Sequence, residues 1–126
     1  MRVLVADDHE AIRKGVRTIL SAEFSDLIFD EAPNGLEAFK LAIANPPDLV
    51  ILDINLPNMT GFAAAEELRQ RFPRTPVLFF TMHTGPRFVA EARKAGVQGL
   101  VAKDRAADAL VDAVKAVLRG ESYFPF

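Results

Sequence analysis

Three acidic residues follow two apolar segments of this sequence and could act together. Asp7 and Asp8 come directly after the apolar run at residues 2–6, and Asp53 closes a second apolar run at residues 48–53. If these segments are neighbouring parallel strands, the three carboxylates converge at one edge of the sheet. Carboxylates within about 4–6 Å of one another repel unless they are protonated or neutralised by a cation. We therefore expect a hard divalent cation there, Mg²⁺ rather than Zn²⁺, because the side chains offer oxygen ligands.

Two more apolar segments end in groups that can bind phosphoryl oxygens. Thr81 closes the apolar run at residues 76–81 with a hydroxyl, and Lys103 follows the run at residues 98–102 with an ammonium. Singly, threonine is a common strand residue and most lysines are solvated surface charges. Together with the three carboxylates they make up the set that phosphoryl transfer to a carboxylate requires, since a cation, an ammonium and a hydroxyl share the phosphoryl charge.

The segments that position these groups alternate between two periodicities. Strand-length apolar runs alternate with helical patterns five times, which predicts an α/β fold with a parallel sheet covered by helices on both faces. The predicted strands are residues 2–6, 27–32, 48–53, 76–81 and 98–102. In the second helical segment, Leu36, Phe39 and Ile43 fall on one face, typical of a helix that packs on a sheet. Asp8 has an alternative interpretation as the cap of the first helix.

Length and composition exclude several classes of protein. The chain has 126 residues, half of them apolar, which is the size of one compact domain. Its net charge of -2 provides no basic field, so we expect no direct binding to nucleic acid. The absence of cysteine excludes disulfides and fits a reducing cytoplasm. No apolar stretch approaches the ~18 residues that span a bilayer, so a soluble protein without a membrane partner is expected.

The chain resembles response-regulator receiver domains in residues spread over essentially its whole length, namely Asp7-Asp8, Asp53, Leu56-Pro57, Gly61, Thr81 and Lys103. It is most similar to the NarL/FixJ (LuxR-type) subfamily in three short segments, Asp7-Asp8-His9, Thr81-Met82-His83 and Lys103-Asp104. The resemblance implies a flavodoxin-like, doubly wound (βα)5 fold, a three-layer sandwich around a five-stranded parallel sheet of order 2-1-3-4-5. The receiver domain would span residues 1–119. Residues 120–126 would be a C-terminal tail or the start of a linker to an effector domain.

The resemblance also implies a role for each site residue. Asp53 would be the phosphoacceptor, and Asp8 and Asp53 would bind Mg²⁺ directly, with Mn²⁺ as a substitute. Asp7 would act largely through a metal-bound water, and the backbone carbonyl of Asn55 would add a ligand. The phosphoryl group would be bound by Thr81 and Lys103.

Four positions lie outside the phosphoacceptor and phosphoryl-binding set. Asn55 and His83 are candidates for tuning dephosphorylation, since they would border the path of the hydrolytic water; for His83, a loop histidine without a role is an equal alternative. His9 is interpreted only as a neighbour of the cleft. Leu100 departs from the family pattern, because receivers usually carry Tyr or Phe three residues before the lysine. That aromatic normally follows the threonine toward the phosphoryl group, so this chain lacks the side chain on which the usual output device depends.

The implied function is a switch in two-component signal transduction. A sensor histidine kinase would phosphorylate the chain, which would not be an enzyme in its own right. The phosphorylated chain would switch a protein interface, with homodimerisation as one form, and would control transcription through a helix-turn-helix domain outside these residues. The alternatives are a stand-alone or phosphorylation-independent interaction module and, more remotely, an aspartate-nucleophile phosphatase, for which Asn55 stands where a second acid is needed. A dinucleotide-binding unit is disfavoured because acids replace the glycine-rich turn after the first strand.

Overall fold

The computed structural model describes residues 1–105 and 107–125, in which strands and helices alternate. The strands are β1 (Arg2–Ala6), β2 (Ile28–Ala32), β3 (Leu49–Leu52), β4 (Val77–Thr81) and β5 (Gly99–Ala102). The helices are α1 (Glu10–Glu23), α2 (Gly35–Ala44), α3 (Gly61–Arg71), α4 (Pro86–Ala95) and α5 (Ala107–Leu118). Within these described ranges, no helix has both the length and the hydropathy needed to cross a membrane.

All five strands pair in parallel, in the order β2-β1-β3-β4-β5, so the predicted fold class and strand order are confirmed. Each strand begins and ends within one residue of the bounds that the sequence predicts. The registers place Ala6 beside Leu52 and Thr81 beside Ala102. Because the strands are parallel and in register, the residues that follow them lie at one edge of the sheet.

Local sequence signals account for where three of the helices begin or end. The Asn34 side chain accepts a hydrogen bond from the Glu37 N–H at 2.8 Å and caps α2. The Thr60 hydroxyl caps α3 in the same way, 3.2 Å from the Ala63 nitrogen. Helix α4 ends at Gly96, whose φ of 80° lies in the left-handed region that glycine adopts without strain.

The core is divided into two clusters by the sheet, as a three-layer sandwich requires. The cluster on the side of α2, α3 and α4 includes Leu52, Phe79 and Leu100. The cluster on the side of α1 and α5 includes Val5, Ile51, Leu78, Leu20 and Val114. Consecutive residues of β3 and β4 therefore alternate between two apolar layers. For this reason the central strands read as continuous apolar runs in the sequence.

Helix α2 does not bury the face that its large apolar residues indicate. Leu36 and Ile43 are each 42% exposed, and the buried positions are Gly35, Ala38 and Ala42. Phe39 packs against the core as predicted, so the prediction is wrong for Leu36 and Ile43. A Cβ on Gly35 would lie 2.5 Å from the Met59 carbonyl oxygen, so this side of the helix approaches its neighbours closely and accepts only small residues.

The described part of residues 120–126 extends the sheet beside β5. Gly120, with a φ of 83°, turns the chain after α5. Tyr123 forms a parallel bridge with Gly99, and its N–H donates to the Gln98 carbonyl at 2.9 Å. The Leu100 N–H donates in turn to the Tyr123 carbonyl at 2.8 Å. A separate tail or linker over residues 120–126 stays a prediction, and Phe126 lies outside the described residues.

Candidate functional site

The ammonium group of Lys103 joins two of the three predicted carboxylates. Its Nζ lies 2.6 Å from Oδ2 of Asp7 and 2.8 Å from Oδ2 of Asp53. All three side chains are buried, with 8%, 3% and 8% of the surface of Lys103, Asp7 and Asp53 exposed. Lys103 follows β5, which is separated from β3 by β4, and its long side chain crosses this distance. The convergence predicted for Asp7, Asp8 and Asp53 is thus present for Asp7 and Asp53, which both contact Lys103.

The pKa of Lys103 is governed by burial and by these two partners. Burial lowers the pKa, but the hydrogen bonds to Asp53 and Asp7 and the charges of both carboxylates outweigh it, so the pKa lies above its usual value. The lysine is therefore charged at neutral pH. One ammonium stands against the carboxylates of Asp7, Asp8 and Asp53, which leaves this corner of the molecule with an excess of negative charge.

Asp8 points to the more exposed side of the same turn. Its side chain is 40% exposed, and its Oδ1 lies 2.9 Å from Nδ1 of His9. The residue at the N-cap of α1 is His9, which makes no side-chain capping bond, so the alternative of Asp8 as a helix cap is wrong. The Asp8 carboxylate therefore stays available to the acidic corner, which consists of Asp7, Asp8 and Asp53 around Lys103.

His9 belongs to the acidic corner, although the sequence analysis gave it no role. Its ring Nδ1 lies 3.2 Å from Oδ1 of Asp7, and its backbone N–H donates to the same oxygen at 2.9 Å. Ligand atoms of Asp7, Asp8 and His9 all lie within 4.8 Å of one another, and such a cluster could hold a metal ion. The available signal was the position of His9 directly after an acidic pair, in the turn before a helix.

The donor set at this corner fits a hard divalent cation. Two carboxylates of one turn are next to each other, and the third, Asp53, is connected to Asp7 through Lys103. Carboxylate oxygens are the ligands that Mg²⁺ prefers, and the excess negative charge favours a cation. The partly exposed Asp8 gives an ion access from solvent. The imidazole of His9 is a softer donor, which Mg²⁺ does not need.

The remaining predicted residues are each joined by a backbone hydrogen bond to Lys103, Asp53 or Thr81. Thr81 is fully buried, and its carbonyl accepts the Lys103 N–H at 2.9 Å. The Thr81 hydroxyl accepts the N–H of His83 at 3.1 Å, and the exposed His83 ring stacks on Phe88 at 4.8 Å between centroids. The Asn55 N–H donates to Oδ1 of Asp53 at 3.3 Å. Asn55 and His83 thus each contact a central residue through the backbone.

Leu100 lies beneath the C-terminal segment rather than at the surface. Its exposed fraction is 0%, and Phe124 packs against the core cluster that contains it. The Arg93 guanidinium of α4 lies 4.1 Å from the centroid of the Phe124 ring. A cleft of about 590 Å³ between the end of β5 and this segment is lined by Leu100 and Phe124. An aromatic side chain is therefore present on this face, but it comes from residue 124.

Comparison with known proteins identifies a single family. Residues 3–115 match the response regulator receiver domain family. The transcriptional activator protein ExaE of Pseudomonas putida is 38% identical over 98% of this chain and 58% of its own length. The transcriptional regulatory protein DegU of Brevibacillus brevis is 34% identical over 98% of this chain and 52% of its own length. The chain thus spans just over half the length of these curated relatives.

Solved structures agree with this similarity. A LuxR-family two-component response regulator from Aurantimonas sp. SI85-9A1 superposes with a TM-score of 0.91 at 33% identity, covering 98% of this chain and 88% of that one. The signal receiver domain of NarL from Mycobacterium tuberculosis gives a TM-score of 0.86 at 35% identity, covering 95% of this chain and 97% of that one. The similarity therefore extends over nearly the whole chain.

Proposed function

The chain belongs to the response regulator receiver domain family, and on that basis we propose that it is a phosphorylation switch whose phosphoacceptor is Asp53. The observation that carries the proposal is the contact of Lys103 with both Asp7 and Asp53. This contact places a buried ammonium beside the carboxylate that would attack phosphorus. An aspartate nucleophile needs such a charge nearby, because the incoming phosphoryl oxygens are anionic.

In the proposed reaction, an oxygen of Asp53 forms a bond to phosphorus while the bond from phosphorus to the phosphodonor breaks. The donor in the cell would be a phosphohistidine of a sensor kinase. Lys103 and the Thr81 hydroxyl would then bind the phosphoryl oxygens. Lys103 is suited to this task because its raised pKa keeps it charged. Thr81 is suited because its backbone already contacts Lys103.

The residues that would hold Mg²⁺, or Mn²⁺ in its place, are Asp7, Asp8, Asp53 and the backbone carbonyl of Asn55. When bound, the ion would neutralise charge on the phosphoryl oxygens. Asp8 would be a direct ligand because its carboxylate is partly exposed and has no contact with Lys103 among the described contacts. Asp7 would act largely through water, since Lys103 holds one of its oxygens and His9 approaches the other.

Asn55 and His83 are proposed to set the lifetime of the acyl phosphate. Each is exposed and is tied through its backbone N–H to a central residue, Asp53 or Thr81. An exposed side chain in that position can obstruct or orient the water that hydrolyses the acyl phosphate. The stack of His83 on Phe88 supports a fixed ring position.

We propose that the output is a protein contact in the cytoplasm and that the chain is not an enzyme in its own right. The relatives ExaE and DegU are named as transcriptional regulators and are nearly twice as long as the matched region. This supports control of transcription through a helix-turn-helix domain outside these residues, with homodimerisation as one consequence of phosphorylation.

The test is mass spectrometry after incubation with acetyl phosphate and Mg²⁺. The native chain should gain the mass of one phosphoryl group, and Asp53→Asn should gain none. A matched control is Asp30→Asn, which removes a partly buried carboxylate of β2 that pairs with Arg2 at 2.9 Å. Asp30→Asn should be modified like the native chain. Unmodified native protein would instead favour a phosphorylation-independent interaction module.

A further inference from the structure

The turn that carries Asp7 and Asp8 is held by an arginine from the next helix. Nη1 of Arg13 donates to the backbone carbonyl of Asp7 at 2.7 Å. Nε of the same guanidinium donates to Oε1 of Glu31, in β2, at 3.1 Å. The Arg13 side chain is only 15% exposed, so both bonds are shielded from water. Charge-assisted bonds in such surroundings are among the stronger ones in proteins.

These bonds tie both backbone groups of Asp7 to β2. The Asp7 N–H donates directly to the carbonyl of Ala32 at 3.0 Å, and its carbonyl is connected to Glu31 through Arg13. Arg13 is also attached to the turn through its own backbone, since its N–H donates to the His9 carbonyl at 3.2 Å. The peptide between Asp7 and Asp8 is therefore fixed against rotation.

The orientation of that peptide decides where both carboxylates point. Asp7 reaches inward to Lys103, whereas Asp8 lies on the exposed side beside His9. A rotation of the Asp7 carbonyl would redirect the chain that leads to Asp8. The arrangement needs two donors at a fixed angle, which the planar guanidinium provides and a lysine ammonium does not.

We propose that Arg13 is a positioning residue for the divalent-cation site, which it organises through the Asp7 carbonyl without touching the ion. This inference rests on the proposed function, since that function supplies the need for the cation. Loss of Arg13 would let the turn relax, so the carboxylates would be less preorganised and Mg²⁺ would bind more weakly. Asp53 and Thr81 would stay in place, because their described contacts do not involve Arg13 or Asp7, and Lys103 would keep its bond to Asp53.

Arg17 provides a matched control in the same helix. Its Nη1 pairs with the other oxygen of Glu31 at 2.9 Å, and its guanidinium lies 5.6 Å from the centroid of the Phe29 ring. It thus shares the acidic partner and the positive charge of Arg13, but its described contacts do not include the Asp7 carbonyl. Any general effect of charge or of Glu31 should appear in both variants.

The experiment compares Arg13→Ala with Arg17→Ala by isothermal titration with Mg²⁺ alone. Removing groups that orient metal ligands costs about 10–100-fold in affinity, so we expect a loss of at least about tenfold in Arg13→Ala. For Arg17→Ala we expect less than about twofold. Arg13→Lys should lie between Arg13→Ala and the native chain, because one ammonium can bind the Asp7 carbonyl or Glu31 but cannot bridge both at the same geometry.

A second readout is the rate of phosphorylation by acetyl phosphate as a function of Mg²⁺ concentration. Arg13→Ala should need more Mg²⁺ for half of its maximal rate, whereas the rate at saturating Mg²⁺ should stay close to the native one. A purely structural role would also lower the rate at saturating Mg²⁺. Native-like Mg²⁺ affinity in a folded Arg13→Ala, or equal losses in Arg13→Ala and Arg17→Ala, would overturn the proposal.

Two further variants keep the outcome decisive. If Arg13→Ala does not fold, Arg13→Lys and Glu31→Gln are measured instead, and native-like Mg²⁺ affinity in both would equally overturn the proposal. If Asp53 is not phosphorylated in the native chain, the proposed function fails. The calorimetric comparison of the arginine variants still decides whether Arg13 organises the acidic turn.

Discussion

Nζ of Lys103 lies 2.6 Å from Oδ2 of Asp7, slightly closer than the 2.8 Å that separates it from Oδ2 of Asp53. The lysine is thus shared between a carboxylate assigned to the cation and the carboxylate assigned to phosphorus. A divalent cation that takes over the charge of Asp7 would weaken the hold of that carboxylate on Lys103. The ammonium would then be freer to turn toward a phosphoryl group on Asp53, which links metal binding to phosphoryl binding.

Lys103→Met should destabilise the metal-free chain by about 3–5 kcal/mol, because it leaves two buried carboxylates without their counter-charge. Lys115→Met is the control, since Lys115 forms only an exposed pair with Glu23 at 3.8 Å and should contribute at most about 1 kcal/mol. Urea denaturation with and without Mg²⁺ measures both. Mg²⁺ should recover more stability in Lys103→Met than in the native chain; equal recovery would contradict the shared position of the lysine.

Asp8→Ala should lower Mg²⁺ affinity sharply, and Asp7→Ala should lower it less. The Asp8 carboxylate is 40% exposed and close only to His9 among the described contacts, whereas the charge of Asp7 is already matched by Lys103. Isothermal titration with Mg²⁺ measures both affinities. Asp30→Asn serves as the control, since it removes a β2 carboxylate that pairs with Arg2 rather than with the acidic turn, and the Mg²⁺ affinity should change little. Unchanged affinity in both aspartate variants would refute the proposed cation site.

Gly61→Ala should impair both folding and phosphorylation. A Cβ at this position would overlap the carbonyl oxygen of Asp53 and come within 2.6 Å of Cα of Ile54, so the loop that carries Asp53 must move. Overpacking of this kind costs about 1–3 kcal/mol. The control is Gly15→Ala in α1, where no atom lies within 4 Å and stability should rise by about 0.5–1 kcal/mol. Thermal unfolding and the acetyl phosphate reaction test the pair; a Gly61→Ala chain with native stability and rate would show that the loop is free to adjust.

Phosphorylation should change the face of α4, β5 and α5 only modestly. Leu100 is already fully buried and is covered on this face by the segment that contains Phe124, so its burial cannot increase. We expect a bias well short of the ~5.5 kcal/mol that carries a population from 1:99 to 99:1. NMR shifts with and without beryllofluoride, together with sedimentation, measure the response of the native chain.

Leu100→Tyr should enlarge that response, because the larger ring does not fit beneath the C-terminal segment and must compete with it. Amide hydrogen exchange at position 100 follows this competition, since the Leu100 N–H is bonded to the Tyr123 carbonyl at 2.8 Å. Phe124→Ala is the complementary variant and should accelerate the same exchange. If beryllofluoride already converts the native chain completely and tyrosine adds nothing, Leu100 is no handicap and the switch runs through the loop after Thr81.

The isolated chain should not retard duplex DNA in a sequence-dependent manner. Its net charge is -2, so it cannot replace the counterions of a phosphate backbone to any useful extent. Electrophoretic mobility shifts at low and physiological salt test this. Retardation that depends on sequence and weakens with salt would contradict it.

The sequence by itself determined the sheet and the membership of its functional edge. Apolar runs mark the buried strands, and in a parallel sheet every residue that follows a strand is brought to the same edge. The location of Asp7, Asp53, Thr81 and Lys103 at that edge could therefore be predicted from their positions alone, and Lys103 contacts both Asp7 and Asp53. The strand order came from the resemblance to a family, since periodicity does not distinguish one order from another.

Tertiary structure alone decided the features that depend on residues distant in sequence. The buried positions of α2 are small residues, and at Gly35 the Met59 backbone lies too close for a larger side chain; hydrophobic periodicity carries no information on that distance. The aromatic that packs against the core cluster of Leu100 comes from position 124, in the segment that pairs with β5 through Tyr123. The hold of Arg13 on Asp7 needs Glu31 of another strand as its second anchor. Each of these rests on hydrogen bonds or packing between separate segments, and a local pattern of residue types does not specify which segments will meet.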